Sequence, residues 1–237
     1  MGGKPMSIRK SEIIILALIV LSFCVSVCLY PWIPEKVASH WNIKGEVDGY
    51  IPKFWGLFLV PFVFTVIALL LIAIPRIDPL KENIEAFRKY YDGFLILFSI
   101  FLLSVHLQVM LWNIGVQVSP TVTISISIGL LFFYIGILCT NSKRNWFIGI
   151  RTPWTLSSDR VWKKTHRLGG KLFKVIGIFT IFGMLIHEYA IILFIALVMF
   201  AAVYTIVYSY FEYQKEKSAN LQTWCTKHGN LAGNVSE

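Results

Sequence analysis

Charged stretches alternate along the chain with apolar runs of roughly 18–21 residues, about the length a helix needs to cross a hydrocarbon layer. The first four runs cover about 12–30, 54–75, 93–112 and 121–139. Lipid offers no partners to backbone N–H and C=O groups, so each run is predicted to be a helix that satisfies them internally. In the fourth, Thr121, Thr123, Ser125 and Ser127 alternate with apolar residues. That pattern reads as a strand in a soluble protein, but an open strand in lipid leaves its edges unpaired. A Ser/Thr-rich helix packed on its neighbours is expected instead. The last run, Val175 to Phe211, is nearly all apolar except at His187-Glu188. As a single helix it would extend about 55 Å, far beyond a bilayer. It is therefore expected to fold back at His187-Glu188-Tyr189, with arms over 172–186 and 190–211. The reading is an all-α polytopic membrane protein of six spans.

Composition agrees. Of 237 residues, 56% are hydrophobic and 15% charged, against about 25% charged in a soluble domain. A soluble enzyme is excluded. The net charge of +9 could suggest nucleic acid, but 19 of the 22 Lys and Arg lie in segments on the N-terminal side of the predicted membrane. Only Lys36, Lys44 and Lys53 lie opposite. By the positive-inside rule both termini are cytoplasmic and the protein is a multi-pass plasma-membrane protein. The basic segments meet anionic membrane lipids, with no direct role for nucleic acid. Cys24 and Cys28 fall within the first run, and Cys139 and Cys225 on the cytoplasmic side; none has metal-ligand spacing. Pro31-Trp32-Ile33-Pro34, with no small-residue cleavage site, follows the first run, which is read as an uncleaved span.

The predicted units are 1–75 (first helix, outer loop 31–53, second helix), 76–140 (third and fourth helices), 141–217 (inner amphipathic segment 141–171, fifth and sixth helices), and 218–237, a flexible cytoplasmic tail.

In the outer loop, Ser39-His40-Trp41-Asn42 precedes Gly45 and Asp48-Gly49-Tyr50. Asn and Asp-Gly are turn formers, so a compact cap held by side-chain-to-backbone hydrogen bonds is expected. Trp32, Trp41, Tyr50 and Trp55 suit interfacial anchoring, and His40, Asn42 and Asp48 are candidates for ligand contact. In the third run Asp92, Ser99, His106 and Asn113 recur every seven residues, on one helix face. That face should point into the bundle or a wet cavity. His106 could there approach His40, Asp48, His187 or Glu188. Three His and two carboxylates on one side raise a metal site at His40, His106 and His187 as one reading; ordinary interhelical hydrogen bonding is the plainer one.

The inner stretch reads NSKRNWFIGIRTPWTLSSDRVWKKTHRLGGK. Ser157 or Ser158 is a suitable N-cap and Asp159 suits a first turn. A helix from Asp159 to Leu168 would place Trp162 and His166 on one face, and Gly169-Gly170 would end it. The element is read as an anchor for anionic headgroups or a docking surface for a cytoplasmic partner.

Two resemblances follow from these residues. Pro34, His40-Trp41-Asn42, Gly45, Asp48-Gly49 and Lys53 resemble the outer-loop signature of the DUF1648 membrane domain, with Val37-Ala38 where its consensus has Ile-Pro. Asn145, Gly149-Ile150-Arg151-Thr152-Pro153, Thr155, Trp162, Lys164, His166-Arg167 and Gly170 resemble the C-terminal signature of the SdpI family of bacterial immunity proteins. The resemblance implies protection from a secreted, membrane-active peptide toxin met on the outer side. It also implies signalling by holding a cytoplasmic ArsR-type repressor at the membrane, with no cofactor and no enzymatic activity. His40, Trp41, Asn42, Asp48, His106, His187 and Glu188 are the outer-face candidates for binding. The rival reading is a small-molecule transporter or a metal-dependent membrane enzyme using the same outer His/acid set.

Overall fold

The computed structural model describes residues 8–183, 185 and 189–232, with side chains through residue 226. The first span is α1 (Lys10–Leu29), extended by a 3-10 turn at Tyr30–Trp32. A hairpin follows, β1 (Lys36–Trp41) antiparallel to β2 (Val47–Pro52), then α2 (Lys53–Ile77), the short α3 (Lys81–Ala86), α4 (Arg88–Asn113) and α5 (Pro120–Asn141). The inner segment forms α6 (Pro153–Ser157) and the start of α7 (Asp159–Gly183), and α8 (Ala190–Ala232) ends the described chain.

Apart from the hairpin the fold is all-α, as expected of a polytopic membrane protein. Among the described residues, α1 with its turn, α2, α4, α5 and α8 are long and apolar enough to cross a membrane. Most of their surface is uncovered within the chain, with Val20, Leu70 and Ile192 among the exposed apolar side chains. Such residues belong against lipid. The Ser/Thr-rich α5 is helical, with Thr123 and Ser127 hydroxyls donating to carbonyls one turn back. The hairpin tip expected at His187-Glu188 lies outside the described residues. The segment 218–237, set apart as a tail, continues α8 as helix to Ala232.

Gly169-Gly170 does not end a helix. α7 runs unbroken through both glycines. They are needed for approach rather than termination: a Cβ on Gly170 would meet the Gly136 carbonyl of α5, and one on Gly177 the Gly129 carbonyl, with Gly136 and Gly129 facing back in the same way. Small residues at a helix–helix seam let backbones approach closely, which is how helices associate without a hydrophobic driving force.

The other half of the bundle, α1, α2 and α4, encloses a core that includes Ile15, Ile19, Phe64, Phe87, Tyr91 and Leu95. Two prolines inside α2 help to organise it. Pro61 has no N–H for the Leu57 carbonyl and Pro75 none for that of Leu71. Both orphaned carbonyls are taken from neighbouring helices: Ser26 of α1 donates to Leu57 at 2.7 Å and Tyr91 of α4 to Leu71 at 2.7 Å.

Candidate functional site

The chemistry-bearing residues lie in three places, the first two joined by α4. At one end the hairpin sits on α2 and α4, with Ile33 and Val37 buried beside Leu57, Val109 and Met110. Its turn is built by Asn42, whose Oδ1 accepts the N–H groups of Lys44 and Glu46 at 2.9 and 3.0 Å, with Gly45 at φ +80°. The expected compact cap is thus a short β-ribbon. Asn113 at the end of α4 clamps it: its Oδ1 accepts the Ala38 N–H at 2.8 Å and its Nδ2 donates to the Ala38 carbonyl at 3.1 Å. A proline at 38, as in the DUF1648 consensus, would have no N–H to give.

Of the outer candidates, His40 and Asp48 pair with each other across the strands at 2.5 Å, His40 being 72% exposed. Asn42 is committed to the turn, and Trp41 packs edge-on against Trp112. Trp32, Tyr50 and Trp55 are exposed, as interfacial anchoring requires. His106 does not join them. It is fully buried, with Nε2 3.1 Å from Ser26 Oγ. Because Ser26 spends its proton on the Leu57 carbonyl, His106 is the donor of that pair. Its Nδ1 has no hydrogen-bond partner among the described residues. No three His, Cys, Asp or Glu approach one another closely enough for a metal among the described residues. His187 and Glu188 lie outside them. The predicted polar face of α4 points into the bundle throughout: Asn113 to the hairpin, His106 to α1, Ser99 buried against its own turn, and Asp92 to Arg9 and Arg88 at 3.0 and 2.8 Å.

Asp92 opens into the second place, a network that sequence reasoning missed. Arg9, Arg76 and Arg88 meet Glu12, Glu85 and Asp92, with Arg76–Glu12 at 2.7 Å and Arg88–Glu85 at 3.4 Å. Glu12 and Arg88 are only 5% and 7% exposed. Three positive and three negative groups balance, as burial demands. Acids set among the basic residues at the ends of apolar runs were the available signal.

The third place is the inner segment, where nearly every signature residue has a visible task. Asn145 is buried and fully used: Oδ1 accepts from Phe147 and Ile148, and Nδ2 donates to the Lys143 and Ile148 carbonyls. Trp162 donates to the Ser142 carbonyl at 3.1 Å and stacks on His166 at 3.9 Å between ring centroids. His166 donates from Nδ1 to the Trp162 carbonyl and accepts the Ile150 N–H at Nε2, both at 2.9 Å. This fixes the neutral Nδ1–H tautomer. Burial, partly offset by the bond to Trp162, holds its pKa down at about 4. Gly149 has φ +116°, and a Cβ there would run into His166 Nε2. Thr152 caps α6 in a reciprocal box with Thr155, Pro153 takes its first turn, and Thr152 reaches Ser209 of α8 at 3.0 Å. Ser158, one of the two expected caps, accepts the Val161 N–H at the start of α7. Arg151 donates to the Trp146 carbonyl and Lys164 pairs with Glu212 of α8. Arg167 is exposed.

Two further residues dock this segment on the first half of the chain. Asp78, buried after α2, accepts the Trp146 N–H at 2.9 Å, and Asn83 of α3 donates to the Arg144 carbonyl at 2.8 Å. Beyond the segment, an open groove of about 640 Å³ lies between the α6–α7 junction and α8, lined by Ser157, Tyr213, Glu216, Leu221 and Trp224 among others.

Comparison with known proteins agrees with this division. Residues 141–209 match the SdpI/YfhL protein family and residues 17–65 match the domain of unknown function DUF1648. The chain is similar to Immunity protein SdpI of Bacillus subtilis (strain 168), with 29% identity over 207 residues, covering 87% of this chain and 97% of that protein. No solved structure matches. With both signatures present in order and each built into one half of the bundle, the chain is a multi-pass cell-membrane protein that resembles the SdpI family.

Proposed function

We propose that the chain is a membrane immunity protein: it protects the cell from a membrane-active peptide met on the hairpin side, with the N-terminus and the α6–α7 element in the cytoplasm. Similarity to an immunity protein over nearly the whole of that relative supports the general role. The single structural observation that carries it is the polar face of α4. One rigid helix touches the hairpin through Asn113, the bundle interior through His106 and the ion-pair network through Asp92. A ligand that favours one setting of the hairpin therefore has a route to the far end, provided it binds two bundle states with different affinity. No step of this role calls for an enzymatic reaction.

The finer part of the proposal is that the inner surface holds a cytoplasmic repressor when the peptide is present. The α6–α8 groove, with Leu221 and Trp224 exposed on α8, is the surface suited to it.

The test is expression in a susceptible bacterium challenged with such a peptide. Survival well above the empty-vector strain is expected. Asn113→Leu, which unclips the hairpin, should lose protection at an unchanged membrane level. Survival equal to the empty vector would sink the immunity role, and a repressor that stays soluble during challenge would sink the signalling part alone.

A further inference from the structure

Arg167 is the one signature residue whose side chain has no partner within the chain among the described residues, and it does not stand alone. Lys163, Arg167 and Lys171 follow at spacings of four, on one exposed face of α7, while the stem of Lys174 packs beside Gly136 of α5. Opposite them, Val161, Trp162, Thr165 and Gly169 are buried. None of these three cations makes an ion pair among the described residues. The neighbouring acids are engaged elsewhere: Asp159 with Arg144, and Glu212 with Lys164 and Lys215.

Where this face sits along the bundle decides what it meets. The Gly136–Gly170 and Gly129–Gly177 contacts set the register of α7 against antiparallel α5. In that register Asn141, the last residue of α5, is level with Thr165. α5 has 22 residues, about 33 Å, close to one hydrocarbon thickness. Its end therefore marks the membrane boundary. Lys163 lies just beyond that boundary, while Arg167 and Lys171 lie within the last turns before it. Helix side chains lean toward the helix N-terminus, so Lys171 reaches back toward the boundary. Trp146 and Phe147, exposed in the segment after α5, suit the same layer.

We infer that this face of α7 is a binding site for the phosphate headgroup of an anionic phospholipid. Three uncompensated cations at and just inside this boundary fit lipid phosphate, whereas an acidic cytoplasmic protein would need them clear of the membrane. The inference depends only on the register of α7 and holds whichever leaflet that end occupies. It stands apart from the immunity role.

Each cation near an anionic surface changes affinity about fivefold. The test uses the full chain in nanodiscs of phosphatidylcholine and phosphatidylglycerol, with the lipids that co-purify after detergent exchange quantified by mass spectrometry. Phosphatidylglycerol should be enriched about tenfold or more over its share of the nanodisc. Lys163→Gln/Arg167→Gln/Lys171→Gln should bring enrichment to within about twofold of none. Arg167→Lys, and the hairpin control Lys36→Gln/Lys44→Gln, should keep it. Equal enrichment in the triple variant, with circular dichroism showing it folded, overturns the site. So does wild-type protein that shows no lipid preference but binds soluble poly-glutamate, which would make the face a protein-docking surface. Should the triple variant fail to fold, absence of enrichment in the wild type is the overturning result and its presence with Arg167→Lys the supporting one.

Discussion

Gly149 and His166 lie so close that a methyl group on the glycine would overlap the Nε2 that receives the Ile150 N–H. The turn, the neutral histidine and the stacked Trp162 therefore form one unit, each holding the others in place. Gly149→Ala should strain the positive φ and displace the imidazole together, costing roughly 2–4 kcal/mol. A thermal melt in detergent several degrees below wild type is the expected reading, and an unchanged melt would show the turn to be tolerant.

The same histidine makes the inner segment sensitive to acid. Its folded pKa of about 4 lies below the ordinary 6.5, so the unfolded or opened state binds the proton more readily. Stability is then fully present above about pH 6.5 and falls as pH drops toward 4, by at most roughly 3 kcal/mol. Trypsin cleavage at Arg151 across that range should rise in wild type. The rise should flatten in His166→Gln, which is already weakened; a parallel rise in both would assign the acid response to another group.

Arg88 faces Glu12, Glu85 and Asp92. Arg88→Met leaves buried carboxylates without their central partner and should destabilise the α1–α2–α4 half by about 3–5 kcal/mol. Adding Asp92→Asn should recover part of that loss. Additive destabilisation in the double variant would mean that the two residues are not coupled.

Ser26→Ala should unpair the Leu57 carbonyl and His106 at once, costing about 1–3 kcal/mol. Tyr91→Phe, which unpairs only Leu71, should cost no more than Ser26→Ala. Denaturation of each variant in the same detergent checks the order, and a larger loss for Tyr91→Phe would reverse the importance given to His106.

What the sequence made legible was what periodicity and charge encode: the long apolar helices, the inward face of α4 and the pairing of Trp162 with His166. The hairpin escaped as strands because its six-residue arms are short and hold turn formers, although the cap itself was expected. Gly169-Gly170 misled because glycine ends helices in water yet joins them in lipid. The carbonyls freed by Pro61 and Pro75 find partners 31 and 20 residues away, and the Arg9–Asp92 pair spans 83. No local pattern records such distances.

The two prolines bear on how any change could cross this membrane. A helix bonded only to itself can turn or slide like an axle in a sleeve. α2 has lent two carbonyls to α1 and α4, so it is keyed to both shafts, near each end of its length. Motion along one must carry all three, so this half of the bundle can respond only as a single body.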